Sequence, residues 1–421
     1  MSAEKGHTME PQASRGPGTG FNRLWAAFAA SNLADGIGMT ALILLGAALT
    51  RDPVLVSAIT ALVFLPWLIL GIPSGVLVDR VDRRRAIAGA NGARVLVSAA
   101  LGVLVVTDQA SIVAVLVAAF LLGACETVAD NASNAVVPRL VHPDGLVRAN
   151  SRIQGTEVVA QVFVGAPLAG VLFTVAAALP FVVHSTAFAI AAVLVLTLPV
   201  AAARADSGSV VAGADSDGPA RVSAWASIRE GVGFLLGHRV LRGLWFASAA
   251  LGFLGTMAQA ILVLFVLDEL RLPESAFGLF LSAAAVGAVV GAVLAEPVAA
   301  RLGRGPAMTV SVVVTGLAFA GIGLSSSVVP AGAAFAASAA GISLWNVLSM
   351  AARQTIVPGV LMGRVHGAWR TLGWGVMPLG ALVGGVLGRL DVRLPLLVGG
   401  ALMLLVGTLI RPTLRRLPPT G

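Results

Sequence analysis

The stretch GVLVDRVDRRR, residues 75–85, places six charged residues directly after an apolar run that extends from residue 54 to 78. An apolar run of this length can cross the hydrocarbon core of a membrane as a helix, which needs about 20 residues. Charged side chains are costly inside that core. The stretch therefore marks the point where a helix leaves the membrane, and the same alternation of apolar runs and arginine-bearing loops continues in both directions along the chain.

The composition extends this conclusion to the whole protein. The chain has 421 residues, of which 57% are hydrophobic and 11% charged, and its mean hydropathy is +0.92. A soluble domain is about 25% charged, so this chain lacks the polar residues that would cover a soluble surface. We expect an integral membrane protein. The net charge of +8 is then explained by basic loops that orient helices rather than by binding to nucleic acid.

Twelve apolar spans predict an all-α fold with twelve transmembrane helices. Continuous runs favour helices over the roughly 10-residue alternating strands of a membrane barrel. The predicted spans are 24–49, 54–78, 86–107, 111–133, 153–176, 179–201, 243–267, 276–299, 306–326, 329–352, 369–388 and 393–411.

A long polar stretch divides the spans into two sets of six. The predicted organisation is a disordered tail over 1–20, an N-terminal bundle over 21–201, a central loop with an amphipathic segment over 202–242, a C-terminal bundle over 243–411 and a tail over 412–421. Arginines concentrate in the loops on one side, and the positive-inside rule makes that side cytoplasmic. We expect both tails and the central loop to be cytoplasmic and the membrane to be the plasma membrane.

The two sets of spans also resemble each other at a nearly constant offset. Leu24-Trp25 matches Leu244-Trp245, and the stretch 134–138 matches 354–358, both at a shift of 220. Arg80 and Arg83 match Arg301 and Arg304 at a shift of 221. Three matches in corresponding places indicate a duplicated six-helix unit. Two such halves are typical of secondary transporters, which bind substrate between them near the middle of the membrane.

Several classes of mechanism are excluded by single residue types. Lys5, in the polar N-terminal stretch, is the one lysine of the chain, so a Walker A loop and a Schiff-base mechanism are both excluded. The five histidines and Cys125 do not show metal-ligand spacing. We therefore expect neither an enzyme nor a metal or cofactor, and a transporter of this kind must run on an ion gradient or downhill.

The loop at 75–85 resembles a motif of the major facilitator superfamily, Gly-x-Leu-x-Asp-Arg-x-Gly-Arg-Arg, with Asp82 in place of the second glycine. The resemblance implies the major facilitator fold of two pseudo-symmetric six-helix bundles, and a loop that latches the two halves in one state. The gate residues it implies are Gly75, which would allow close helix packing, and Asp79, Arg80, Arg83 and Arg84. A run of arginines is also sufficient as a plain topology signal.

Further stretches resemble the drug:proton antiporter branch that includes macrolide efflux proteins and an enterobactin exporter. They are 31–36, 125–132 and 148–151, together with Gly165, Pro167 and Gly170, which resemble a weakened form of the helix 5 Gly-Pro motif of drug antiporters. This resemblance implies export but does not identify a substrate.

Acidic residues inside the spans are the sharpest functional signal. Each costs about 2.5–3.5 kcal/mol at the middle of a helix, so a functional role is the default explanation; a buried ion pair is the alternative. Asp35 lies halfway along the first span, with Asn32 three residues before it. We expect this pair to couple to protons or substrate, with a structural polar contact as the alternative.

Glu126 and Asp130 are four residues apart, so they share a face of the fourth helix. Glu126 is predicted to couple to protons or substrate. Arg94 is predicted to pair with Glu126 or Asp130, and Asp130 and Arg94 are assigned to a gate. Glu157 and Gln161 have the same spacing on the fifth helix and are predicted to line the cavity. Glu296, near the end of span 8, is predicted to pair locally with Arg301 or Arg304.

The second set of spans contains few polar residues. Trp345 and Asn346 are the predicted substrate contacts there, whereas Trp369, Arg370 and Trp374 are interpreted as packing or interfacial anchors. An organic-anion site would need an embedded arginine facing the cavity, and the sequence offers few candidates.

These observations predict a proton-coupled exporter of small hydrophobic or amphipathic compounds such as drugs, antibiotics or siderophores. It would alternate access by rocking two halves, with protons, a small-molecule substrate and membrane lipid as partners, and it would act as a monomer. The alternatives are an importer or facilitator of a small metabolite and, with less support, a membrane enzyme or regulator.

Overall fold

The computed structural model describes residues 19–141, 146–198 and 224–417, and helices cross repeatedly between two faces of the molecule. We call the face at which the first helix begins and the last one ends the terminal face; it includes residues 81–82, 303 and 357–358. The opposite face consists of the connections at 50–52, 107–111, 176–178, 270–273, 325–327 and 389–393.

The first half contains six crossings. Its helices are α1 (Thr19–Leu49), α2 (Pro53–Arg80), α3 (Arg83–Val106), α4 (Ile112–Leu140), α5 and α6 (Leu179–Leu196). Helix α5 has three consecutive sections, which are Leu146–Glu157, a π-helical stretch Val158–Gly165, and Ala166–Val175.

The second half follows an amphipathic helix, α7 (Ala224–Gly237), which lies where the sequence predicts an amphipathic segment. Its crossings are α8, α9 (Glu274–Leu302), α10 (Arg304–Leu324), α11 (Val328–Ile356), α12 and α13 (Leu394–Leu414). Helix α8 runs through Arg239–Gln259, Leu262–Leu264 and the π-helical Phe265–Glu269, and α12 through Gly359–Trp374 and Met377–Gly388.

The two halves have the same internal packing. In the first half α1 packs on α5 and α6, α2 on α4, and α3 on α4 and α6. In the second half the corresponding helices make the same pairs, with α8 on α12 and α13, α9 on α11, and α10 on α11 and α13. Two pseudo-symmetric six-helix bundles are therefore present in the described residues, and the predicted fold class is confirmed.

Helix α12 departs from the prediction. Eleven helices in the described residues are long and apolar enough to span a membrane, and α12 is not among them because it is divided. Pro378 lies in the first turn of its second section, and a proline cannot donate the hydrogen bond that would continue the preceding helix. The first section begins at Gly359, ten residues before the predicted span, since Arg364 and His366 mask its helical character in a hydropathy profile.

The predicted tails and most of the central loop lie outside the described residues. The same holds for the side chains of two predicted gate residues, Asp79 and Arg80, whose backbone forms the last turn of α2.

Candidate functional site

Four carboxyl side chains of the first half gather in one place. A small cavity of about 70 Å³, the acid cavity, is lined by Asp35, Glu126, Asp130 and Glu157 together with Arg94. A larger space of about 260 Å³, the central cavity, adjoins it and shares Asp35, Arg94, Glu126, Glu157 and Gln161. The structure thus brings together the acids predicted on three different helices, α1, α4 and α5.

Arg94 pairs with Asp35 rather than with Glu126 or Asp130. Its Nη1 atom lies 3.5 Å from Oδ1 of Asp35, and its guanidinium group lies 4.7 Å from the ring centroid of Phe188. The Arg94 side chain is 2% exposed and that of Asp35 is 20% exposed. The prediction of Glu126 or Asp130 as the partner was wrong, because the long Arg94 side chain on α3 reaches Asp35 on α1. Arg94 lies in the middle of α3, within the acid cluster and away from the 75–85 loop.

Glu126 and Glu157 differ from Asp35 in having no ion pair or hydrogen bond within the described part of the chain. Both line the acid cavity and the central cavity. Glu157 ends the first section of α5, immediately before the π-helical stretch, a geometry that is frequent at functional sites. Gln161 follows within that stretch and lines both cavities. Their predicted position on the cavity wall agrees with the structure.

Asn32 lines the acid cavity, as expected from its spacing to Asp35. Its side-chain amide nitrogen donates to the backbone oxygen of Phe28 at 2.9 Å. One of the two amide hydrogens is therefore used within α1, which leaves the other hydrogen and the amide oxygen for the cavity.

Asp130 is paired across the two halves. Its Oδ2 atom lies 3.7 Å from Nη2 of Arg370 on α12. The Arg370 guanidinium lies 4.3 Å from the ring centroids of both Trp67 on α2 and Trp374 on α12, and these two rings meet edge to face at 5.1 Å. Arg370 and Trp374 were interpreted as packing or interfacial anchors, and the structure shows that their packing joins the two halves beside the acid cluster.

The basic residues of the 75–85 loop hold the first half together. Asp82 caps α3, with its Oδ1 atom accepting from the backbone N–H groups of Arg84 at 2.9 Å and Arg85 at 3.3 Å. An acidic N-cap satisfies free N–H groups, which explains why aspartate replaces the glycine of the motif. Arg84 Nη1 donates to the backbone oxygens of Leu196 and Leu198, each at 3.2 Å. Arg83 is buried at the start of the same helix.

Gly75 does not have the predicted packing role. Among the described residues, none places an atom within 4 Å of the position that a Cβ would occupy. The side of α2 that carries Gly75 faces open space, so close helix packing does not require a glycine there in this state.

The Gly-Pro stretch of α5 packs on both halves. A Cβ at Gly165 would meet Gly36 and the backbone oxygen of Leu33 on α1. A Cβ at Gly170 would meet the backbone of Glu274 and Ser275 on α9. Pro167 lies in the first turn of the last section of α5 and faces Gly278 of α9. The predicted motif therefore allows α5 to approach α1 and the other half closely.

Ion pairs and close packing join the halves at the opposite face. Asp52 accepts two hydrogen bonds from Arg389, one from Nε at 2.9 Å and one from Nη2 at 2.5 Å, and this guanidinium lowers the pKa of Asp52. Arg51 pairs with Asp268 at 3.3 Å. A Cβ at Gly385 of α12 would collide with Ser57 of α2. We call this set of contacts the latch. At the terminal face, the ion pair between Arg364 and Glu230 joins α12 to α7 instead.

The second half has a cavity of its own, of about 240 Å³. Trp345 and Asn346 line it as predicted, and Trp345 Nε1 donates to Ser248 Oγ at 2.9 Å. Trp374 lines both this second-half cavity and the central cavity, so the two spaces lie on either side of its ring.

Arg353 and His184 are cavity residues that sequence reasoning missed. Arg353 lines the second-half cavity although it lies in the last turn of α11, where a basic residue looks like a helix-end charge. His184 lines the central cavity, with Nδ1 2.6 Å from Ser98 Oγ. The i, i+4 spacing of Arg370 and Trp374 was a usable signal for a shared face; nothing in the sequence marked Arg353 or His184.

Two negative observations complete the description. Within the described ranges there is no group of three or more His, Cys, Asp or Glu side chains that could hold a metal ion. The predicted local pair of Glu296 with Arg301 or Arg304 is also absent there: Glu296 is exposed on α9 and outside every cavity described above.

The family model of the Major Facilitator Superfamily matches residues 24–378. Uncharacterised MFS-type transporters of Mycobacterium tuberculosis and Mycobacterium bovis are each 31% identical over 134 residues. That stretch spans 31% of this chain and 30% of each relative.

Solved transporters share the fold at low sequence identity. A mutant of the nucleoside transporter NupG matches with a TM-score of 0.77 and 12% identity, covering 94% of this chain and 100% of that chain. A bacterial homologue of the iron transporter ferroportin in its inward-facing state matches with a TM-score of 0.73 and 17% identity, covering 94% of this chain and 99% of that chain. The outward-facing state of such a homologue gives 0.61 and 18%, covering 94% and 100%.

Proposed function

The chain belongs to the major facilitator superfamily and is a secondary transporter, and from this premise we propose that it is a proton-coupled exporter of small hydrophobic or amphipathic compounds. The acid cluster is the observation that carries the proposal. Four carboxyl groups, those of Asp35, Glu126, Asp130 and Glu157, line one cavity together with the guanidinium group of Arg94. Arg94 pairs with Asp35, and Arg370 pairs with Asp130. An unpaired charge is costly in a site with little water, so the surplus carboxyl groups take up protons.

The pairing pattern gives the acids different roles. Asp35 is held by Arg94 and Asp130 by Arg370, which leaves Glu126 and Glu157 as the acids without an ion pair that line both cavities. Of these two, Glu157 is exposed whereas Glu126 is half-buried. We assign the transported proton to Glu126. Arg94 lies between Asp35 and Glu126 in the same cavity, so protonation of one acid leaves the guanidinium free to pair with the other.

The closed latch gives the state of the transport cycle. If the arginine-rich terminal face is cytoplasmic, as the positive-inside rule predicts, the latch closes the structure on its outer side. The higher TM-score against the inward-facing than the outward-facing ferroportin homologue supports this assignment. Cargo would enter from the cytoplasm, and rocking of the two halves would break the latch and expose the acid cluster to the outside.

The resemblance of the 75–85 loop and the α5 Gly-Pro stretch to exporters of the drug:proton antiporter branch supports the outward direction. In this scheme Asp79, Arg80 and Arg84 hold the terminal face when the latch is open. We further propose that the protein is a monomer in the plasma membrane, with both termini cytoplasmic, and that it works on the proton gradient without a prosthetic group.

The driving force is sufficient for export. One proton moving down 100 mV supplies about 2.3 kcal/mol, and each pH unit adds about 1.4 kcal/mol. A single proton therefore supports a cargo gradient of about a hundredfold or more.

Everted membrane vesicles with an acidified lumen test the proposal. A pH-sensitive dye would report lumenal protons while a panel of hydrophobic and amphipathic compounds is added. We expect proton release with wild type and none with Glu126→Gln or Asp35→Asn. Glu296→Gln is the matched control, because this glutamate is exposed and lines none of the three cavities, and it should behave as wild type.

Two results would contradict the proposal. Equal movement of a labelled compound in all four proteins without proton flow would make the protein a facilitator. Accumulation of a compound on the cytoplasmic side together with protons would make it an importer of a small metabolite.

A further inference from the structure

The guanidinium group of Arg353 is buried beside the second-half cavity. The residue is 8% exposed, its Nε atom donates to the backbone oxygen of Ser349 at 3.3 Å, and its guanidinium carbon lies 4.2 Å from the ring centroid of Trp369. Its Nη1 atom is buried and has no hydrogen-bond partner among the described residues. One edge of the group is thus held in place, and a donor on the other edge is unused.

No acidic side chain of the described residues compensates this charge. Arg94 and Arg370 each have an aspartate within 4 Å, whereas Arg353 has none and none of the residues that line its cavity is acidic. A buried guanidinium without a counter-charge is costly, and its planar edge matches the two oxygens of a carboxylate. Since the described residues do not supply the counter-charge, an anionic ligand would complete this site.

The remaining lining gives the shape and polarity of that ligand. The Oγ atom of Ser349 is buried and also without a partner in the described part of the chain. Leu251, Val312, Ile342 and Met403 provide an apolar wall. The cavity of about 240 Å³ exceeds the roughly 150 Å³ that holds one benzene ring. A two-ring compound fits this volume.

We propose that the second-half cavity binds the cargo as an amphipathic organic anion, with its carboxylate or equivalent group on Arg353 and its aromatic or aliphatic body against Trp369 and the apolar wall. This inference rests on the proposed function in that it names the class of compound transported. It supplies the embedded arginine that the sequence did not reveal. The same chemistry occurs in a soluble aryl acid and in an anionic lipid headgroup, and the enclosed position between helices of one half favours the soluble acid.

Equilibrium binding to the purified full-length protein in uncharged detergent tests the inference without a proton gradient. Naphthoate and its neutral isostere naphthamide would be titrated by calorimetry. We expect wild type to prefer naphthoate by about tenfold or more, since a hydrogen bond to a charged group is worth more than a neutral one. Arg353→Gln should bring the preference close to unity, and Arg353→Lys should retain part of it.

Two further variants are controls, one for a general disruption of the cavity and one for the loss of a positive charge elsewhere in the protein. Trp369→Leu should weaken both compounds equally, because the ring contacts the ligand body and the guanidinium. Arg411→Gln removes an exposed arginine of α13 that lines none of these cavities and should leave the preference unchanged.

Three results would overturn the inference. The first is an unchanged preference for naphthoate in Arg353→Gln, and the second is a lack of saturable naphthoate binding to wild type. The third is displacement of naphthoate by phosphatidylglycerol in the micelles, which would reassign the site to lipid. Proton coupling can fail in the vesicle assay while the binding preference persists, so failure of the proposed function is distinguishable from failure of this inference.

Discussion

The acid cavity and the second-half cavity are built at corresponding positions but have opposite chemistry. Asp35 lines the acid cavity, and Gly255, 220 positions later, lines the second-half cavity. Glu126 and Asn346 correspond in the same way. Arg94 and Thr315 correspond in the same way at a shift of 221. The first half therefore has two acids and an arginine where the second has a glycine, an amide and a hydroxyl.

The difference shows which features a duplicated bundle must keep. Both halves retain the same helix pairs, because these contacts bury the apolar faces that hold a bundle together. Side chains that face a cavity do not contribute to that packing and are free to diverge. One half has become a site rich in exchangeable protons, and the other has one unpaired cation in an apolar wall.

The largest expected effect is on stability in the first half. Arg94→Gln leaves the carboxylate of Asp35 without its partner, and breaking a buried pair from one side costs about 3 kcal/mol of unfolding free energy. At the corresponding position, Thr315→Val should cost at most about 1 kcal/mol, because among the described residues its hydroxyl donates to the Ser311 backbone oxygen of the same helix. Reversible unfolding in mixed SDS micelles measures both values.

The double variant Arg94→Gln with Asp35→Asn is the control for this prediction. It removes both charges and should regain at least half of the lost stability. If Arg94→Gln costs no more than Thr315→Val, the ion pair does not distinguish the two halves energetically.

An acid introduced at position 346, which corresponds to Glu126, should make the second-half cavity acidic like the acid cavity. Asn346→Glu places a carboxylate in the cavity of Arg353, two helical turns away on the same helix. We expect naphthoate binding to weaken by about tenfold, because the new acid repels the ligand and competes for the guanidinium. Asn346→Gln keeps the amide and should bind as wild type. If Asn346→Glu and Asn346→Gln bind naphthoate equally well, position 346 does not lie near the bound anion.

The smallest expected effect lies in the latch, where the two halves meet. Asp52→Asn removes an exposed ion pair, which is worth at most about 1 kcal/mol, so the population open at the opposite face should rise no more than about fivefold. Pulsed electron resonance between spin labels at positions 108 and 326, in a Cys125→Ser background, measures this population. Asp391→Asn, at the same face but bonded within the second half, should leave it unchanged.

The pH dependence of the latch sharpens the same measurement. Arg389 holds the pKa of Asp52 below its usual value, which is about 3.9. The contribution of this pair is thus fully present above about pH 4 and is lost only as the pH falls through the lowered pKa. Wild type and Asp52→Asn should therefore respond identically between about pH 8 and pH 5. A response confined to wild type in that window would contradict the assignment of Asp52.

The fold was predictable from local features of the chain. Membrane spans are set by hydropathy over about 20 residues, and the loop at 75–85 and the repeat at 220 were enough to indicate two six-helix bundles. Helix α12 was the exception, because its arginines and its break at Pro378 disturb the apolar run that defines a span.

The candidate site was predictable in its members but not in its pairings. The cost of an acid in a membrane singles out Asp35, Glu126, Asp130 and Glu157. Which of these acids pairs with Arg94 depends on how the helices are rotated within the bundle, and periodicity along one helix does not determine that rotation. Arg353 escaped prediction because a basic residue in the last turn of a helix is also what orientation in the membrane requires.

The divided α12 has a consequence for how the protein enters the membrane. Its second section, Met377–Gly388, has 12 residues, which at 1.5 Å per residue reach about 18 Å of a hydrocarbon core about 30 Å thick. The section before it carries Arg370, whose partners Asp130 and Trp67 belong to the first half. A ribosome delivers the first half before α12 emerges. We therefore expect the first half to act as a docking template when α12 inserts, so that a chain synthesised without residues 1–201 leaves α12 outside the bilayer in a glycosylation-mapping assay.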